Sequence, residues 1–340
     1  MNKSFFPPKY NLAEKIIHRT TGELRELYEK THPGCRPVTP RIVDPDKASD
    51  MIYTQISAKA PCMIARYGGS ELFSVTNFLG VQKGWKGILD FIRAKQDPWW
   101  WISERLRVLS NNAGFFPIEE WAIKQYSELL LSDTKELDIL ASFCSREYLI
   151  KDRIEHLPAI SLFLLEPWFS KNPWTRYLER KNVLVVHPYA ELIEDQYYNH
   201  REHLFSNPMI LPKFNLQTVK AIQSSAGAKC EFNSWFEALE HMKNEIDKHD
   251  YEICIIGCGA YGFHLAAHVK RSGKKAIHMG GVTQILFGIK GARWEDPDYC
   301  IPEIGIPKGF YTQLFNDYWV RPGDIYRPKN AESVEGACYW

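Results

Sequence analysis

The 340-residue chain has no CxxC pair: its eight cysteines are scattered, Cys254 and Cys258 come nearest, and no histidine pair at zinc-finger spacing accompanies them. A structural zinc or a disulfide framework is not expected, and the thiols read as reduced and buried. The chain has no apolar run approaching about 18 residues, and Met1 to Tyr10 carries Lys3 without an apolar segment behind it. A cytoplasmic protein without a spanning helix is therefore expected. Net charge is also lacking: 42 Lys and Arg balance 41 Asp and Glu to +1, so no nucleic-acid partner is implied. Gly-x-Ser-x-Gly, Walker-lysine and HExxH patterns are absent too, which leaves hydrolase, P-loop and zinc-enzyme classes without positive support.

What is present is 45% hydrophobic, 24% charged and arranged as strands alternating with helices. Tyr251 to Ile256 is a β-branched run that ends in Gly257, Gly259 and Gly262 and passes into an alanine-rich amphipathic segment, then Lys275 to Gly281. This is strand, tight turn, helix and strand, with Gly280 and Gly281 closing the second strand; glycine allows close backbone approach, and a helix N-terminus favours an anion. A dinucleotide site is the first expectation from GxGxxG. The acid that should hold the ribose about 20 residues on is replaced by Ile277-His278-Met279. An NAD(P)-dependent oxidoreductase thus remains an alternative, with Lys274 and Lys275 as partners for a 2′-phosphate. Glycines that merely let helix and strand pack are another.

Upstream, Cys62 to Ala65 reads as a buried strand leading into Arg66-Tyr67-Gly68-Gly69-Ser70-Glu71 and a helix. This turn offers a guanidinium for bidentate phosphate binding, glycines for approach and a carboxylate for a proton or a metal. Further strands are expected at 137–143, 162–165, 183–186 and 209–211, with helices at 118–131, 190–205, 216–225 and after the Ser234/Glu237 capping box. Before residue 50 one helix is expected, begun by a Thr20/Glu23 box, then a proline-rich connector. Asp97-Pro98 reads as the start of a helix to about residue 110. Its Trp99-Trp100-Trp101 cannot share one face; partial burial is the simpler reading, and contact with protein, sugar or lipid headgroups at the inner membrane face is the other. The pattern implies an α/β, doubly wound, mainly parallel Rossmann-like sheet, whose ligands sit at the loops after Ala65, Phe143, Val186, Ile256 and Ile277. His187 and His278 stand at two of these exits, each readable as base, phosphate ligand or mere support. Ser142 to Arg146 forms a third exit. His264 and His268 are one helical turn apart and read as a helix face rather than a metal pair.

With Arg66-Tyr67-Gly68-Gly69-Ser70-Glu71 and Ile256-Gly257 through Gly281 in hand, the chain resembles GT-D-type glycosyltransferases and the related proteins of polysaccharide gene clusters. The resemblance covers roughly residues 60–295 in order of elements and these two segments in motif. It implies an N-terminal extension over 1–55, a Rossmann-like domain over 56–295 and a tail over 296–340 that packs on it. It also implies transfer of a sugar from a nucleotide-sugar donor to a glycan or lipid-linked glycan acceptor. Glu71 and His187 would be catalytic; Arg66, Gly68, Gly69, Ser70, Gly257, Gly259, Gly262, His278, Gly280, Gly281 and Arg293 would bind substrate, and Glu71 would take a divalent cation, Mn or Mg. The family Asp-x-Glu stands here as Gly69-Ser70-Glu71, so one metal carboxylate is replaced. Arg66, Lys290 and Arg293 are the cations available in its stead. A non-catalytic nucleotide- or glycan-binding protein is the alternative that this replacement opens.

Overall fold

The computed structural model describes residues 6–228, 230–299 and 306–340. Lys3 and residues 300–305 of the expected tail lie outside them. Seven strands form one parallel sheet: β1 Cys62–Ala65, β2 Ile139–Ser142, β3 Ala159–Ser161, β4 Asn182–His187, β5 Asn215–Lys220, β6 Ile253–Ile256 and β7 Lys275–His278, in the order β3-β2-β1-β7-β6-β4-β5. The helices used below are α1 Leu12–Thr31, α2 Pro45–Ser57, α3 Gly69–Lys83, α4 Ile88–Ile92, α5 Ser103–Ala113, α6 Glu120–Asp133, α7 Lys151–Ile154, α8 Ala190–Leu204, α9 Trp235–Asp247 and α10 Gly262–Arg271.

The alternation of side chains along each strand separates two cores. In β1, Met63 and Ala65 face a layer built from α3, α5, α6, α9 and α10, whereas Cys62 and Ile64 face α2, α8 and the C-terminal tail. Both faces are covered, so the central strands are buried throughout, and the doubly wound reading holds. The chain leaves β1 toward β2 on one side and ends at β7 on the other. The direction of winding changes at the β1/β7 pair, where a crevice opens beyond the strand carboxyl ends.

Several local expectations are corrected. The first helix begins at Asn11, whose side chain and that of Glu14 form the capping box, so Thr20 and Glu23 lie mid-helix. A second helix, α2, follows from Asp44 as cap and Pro45 as its first residue. The Trp99–Trp101 run precedes α5 instead of opening it; Trp99 and Trp101 are buried and Trp100 half-buried. Leu162–Leu165 is a 3₁₀ turn after β3, and Met209–Leu211 is irregular. The expected helix from Leu216 is strand β5, an edge strand paired with β4 alone. Among the described residues no helix is long and apolar enough to cross a membrane.

Candidate functional site

The loops after β1, β2, β4, β5, β6 and β7 converge on one cleft of about 660 Å³, closed on its remaining side by α5 and the tail. That volume is ordinary for a small-molecule site. Of the residues expected there, Arg66, Gly68, Gly69, Ser70, Glu71, His187, Gly257, Gly259, His278, Gly280, Gly281 and Arg293 line it. Gly262 does not: a Cβ there would lie 2.2 Å from Cε1 of His278, so this glycine makes room for the ring. Lys290 is also elsewhere, its Nζ 5.6 Å from the Phe315 ring centroid. Lys274 and Lys275 lie at the start of β7, the end of the strand opposite His278 and the cleft; Lys274 Nζ donates to Tyr251 O at 2.9 Å. Neither is placed for a 2′-phosphate in the cleft.

Arginine dominates the cleft, with Arg66, Arg105, Arg146 and Arg293 facing two carboxylates, Glu71 and Glu335. Three of the four guanidinium groups lie on phenylalanine plates. Arg66 Cζ is 4.7 Å from the Phe143 centroid, and those of Arg105 and Arg146 are 4.8 and 3.9 Å from Phe73. Arg146 Nε also donates to Oδ2 of buried Asp97 at 2.9 Å, and Arg293 pairs with Glu335 and donates to Tyr339 Oη at 3.3 Å. Arg66 and Arg105 have no acidic partner among the described residues, and Arg66 Nε is sealed from solvent with no acceptor. An unpaired buried donor beside a cavity is a costly feature that an anionic ligand would relieve.

The two histidines carry opposite hydrogen-bond polarity. His187 Nδ1 accepts from Tyr189 N at 3.0 Å, which places the proton on Nε2 and makes the ring a donor. His278 Nδ1 donates to Ile256 O at 3.2 Å, which leaves its Nε2 as a lone pair. Burial pushes both down to about 3, with Arg66 adding to the effect at His278, so both are neutral near pH 7. The expectation of His187 as base thus meets a tautomer suited to donation, and the free lone pair belongs to His278.

Glu71 opens α3 and folds back over its cap: a Cβ on Gly68 would fall 1.9 Å from Glu71 Oε1, and Ser70 Oγ donates to Oε2 at 2.6 Å. A side chain at residue 68 would expel the carboxylate. Among the described residues no three His, Cys, Asp or Glu side chains gather as metal ligands would. Glu71 is therefore not part of a cluster of three or more protein ligands among the described residues. His264 and His268 likewise go to separate partners, Asp133 at 2.8 Å and Asp247 at 2.9 Å.

Sequence reasoning missed Arg105, the β5 exit Ile222–Ser225, buried Glu147 and the tail residues. Glu147 accepts from Phe143 N and Cys144 N at 3.0 and 2.9 Å and so shapes the β2 exit on which Arg66 stacks. Tyr339 lies where a Cβ on Gly281 would be, 2.2 Å from Cε1, so the tail closes directly onto the β7 exit.

No family model matches the chain, and no curated protein does. Two solved structures resemble it, the highly conserved domain of unknown function 1792, described as having a distinct glycosyltransferase fold, and the selenomethionine-substituted form of that domain. Each is 11% identical, covering 89% of this chain and 100% of its own, at a TM-score of 0.37, a likeness too loose to assign an activity.

Proposed function

We propose that this cleft binds the diphosphate of a nucleotide-sugar and transfers the sugar to a glycan or lipid-linked glycan acceptor. The observation that carries the proposal is Arg66: a guanidinium at the β1/β7 switch point, stacked on Phe143, with a sealed Nε that has no acceptor among the described residues. Loss of a nucleoside diphosphate leaves negative charge that must be met in place. Arg66 and Arg105 are its candidate partners. His187 donates a hydrogen bond, and Glu71 or the His278 lone pair receives the acceptor hydroxyl's proton. The charge is met by arginine, and no step is routed through a metal.

One observation favours a second reading, a module that binds the nucleotide or glycan without turnover. Among the described residues the two lining side-chain carboxylates both have partners, Glu71 in Ser70 and Glu335 in Arg293. Calorimetric titration with nucleoside diphosphates in the presence and absence of chelator tests the shared premise. Binding that survives chelator and weakens in Arg105→Ala supports the site; binding that requires added metal counts against it.

A further inference from the structure

Helix α1 is built inside out. It turns polar groups toward the protein: Thr21 and Arg25 are buried, Arg25 Nη1 donates to Gln96 O at 2.7 Å, and His18 stacks on Trp100 at 4.0 Å. Its open side carries five aliphatic residues, Leu12, Ile16, Ile17, Leu24 and Leu27, exposed by 75, 56, 37, 46 and 59%, with exposed Thr20 among them and Glu23 and Lys30 at one edge. At about 100° per residue these five fall within one sector about 140° wide. A surface helix normally shows the reverse arrangement, and an exposed aliphatic cluster of this size marks an interface. None of the five lines the cleft.

We propose that this face is the contact between two copies of the chain, joined through α1 against α1 in antiparallel register about a two-fold axis near Thr20. The pattern is self-complementary in that register. Leu12 comes opposite Leu27 of the second copy, and Ile16 and Ile17 come opposite its Leu24. On the flank, Lys15 comes opposite Glu26, and the Arg19–Glu23 pair that each chain closes on itself at 2.9 Å comes opposite its own copy, so the basic first half of one helix lies along the acidic second half of the other.

The area also fits. The five side chains offer roughly 500 Å² of apolar surface per copy. Leu89, 59% exposed on α4 packed beside α1, brings the pair to roughly 1,200 Å² in total, at the lower end of stable interfaces. A bilayer fits less well, because α1 carries four Lys and Arg against four Glu and so has no net attraction to anionic lipid.

Sedimentation analysis of the full chain tests this. The expected result is a dimer at about 10 µM, dissociating at least tenfold more readily in Leu24→Glu, a change at an exposed position that leaves the circular dichroism spectrum unaltered. Lys15→Glu weakens the dimer, and Lys15→Glu with Glu26→Lys restores it. The two positions are three turns apart on one helix, so the rescue reads a contact between chains. A wild-type monomer at about 50 µM overturns the proposal, as does a charge swap without rescue. A monomer that instead floats with phosphatidylglycerol/phosphatidylcholine vesicles assigns the face to a membrane and equally refutes the dimer.

Discussion

Replacing Arg66 by Met should strengthen the fold and weaken the site. Arg66 Nε is buried with no acceptor among the described residues, and an unmet buried donor costs about 1–3 kcal/mol. The stacking on Phe143 returns about 0.5–1 kcal/mol, and a methionine retains much of that apolar contact. The balance predicts unfolding stability unchanged or raised by about 1–2 kcal/mol, read as a shift of about 1–3 °C in thermal midpoint for a chain of this length. Binding of a nucleoside diphosphate should move the other way. A charge-assisted hydrogen bond contributes about 1.5–3 kcal/mol, so affinity should fall by about 10–150-fold. Arg66→Lys separates charge from shape: it keeps the cation, loses the planar fork and should recover only part of the affinity. Differential scanning fluorimetry and calorimetric titration on the same samples read both quantities. If Arg66→Met destabilises the fold and leaves diphosphate affinity untouched, Arg66 is a structural residue and the reasoning fails.

Gly281→Val sets a branched side chain where Tyr339 packs, so it should cost about 1–3 kcal/mol and expose the tail near Glu335 to protease; Gly22→Ala in α1, with open space around it, should instead stabilise by about 0.5–1 kcal/mol. For His187 and His278 the native rings titrate near 3 and unfolded histidine near 6.5. The unfolded state therefore binds more protons between those values. Stability is full above about pH 6.5 and falls as pH drops toward 3, by up to roughly 1.4 kcal/mol per pH unit for each ring. Urea midpoints of His278→Gln compared at pH 7 and 5 should show a shallower acid loss than wild type. Glu166 has the opposite sign: burial pushes it up to about 8 against the pull of the Tyr311 hydrogen bond at 2.8 Å. Its contribution is complete below about pH 4.5 and is lost as pH rises through 8. Glu166→Gln should remove that alkaline loss, and parallel stability curves between pH 6 and 8 would contradict it.

How much of this was legible in the sequence follows from what each signal measures. The strands β1, β2, β4 and β6 announce themselves as apolar runs because both faces of a parallel sheet are covered, whereas β7, Lys-Ala-Ile-His, is marked only by its place after the glycine turn and its helix. Once those were placed, the rule that ligands sit beyond strand carboxyl ends located Arg66, Phe143, His187, Gly257 and His278 together. Strand β5 lies at the sheet edge, and its Asn-Leu-Gln-Thr-Val-Lys run is only half-buried. It carries no such run, and its exit Ile222–Ser225 was lost with it. Arg105 and Tyr339 reach the cleft from α5 and from the tail, over separations of tens to hundreds of residues, and no local pattern encodes such contacts. The hydrogen-bond polarity of His187 and His278 was equally invisible, since it depends on a backbone N–H in one case and a carbonyl in the other.

The central claim is tested most directly by turnover: release of nucleoside diphosphate from a panel of nucleotide-sugars, with a glycan or lipid-linked acceptor and chelator present, by wild type, Glu71→Gln and His278→Gln. The account predicts release by wild type that persists in chelator and drops by about 10²–10⁴-fold in whichever variant removes the proton acceptor. Tight diphosphate binding with no release from any donor would contradict transfer and leave a binding module.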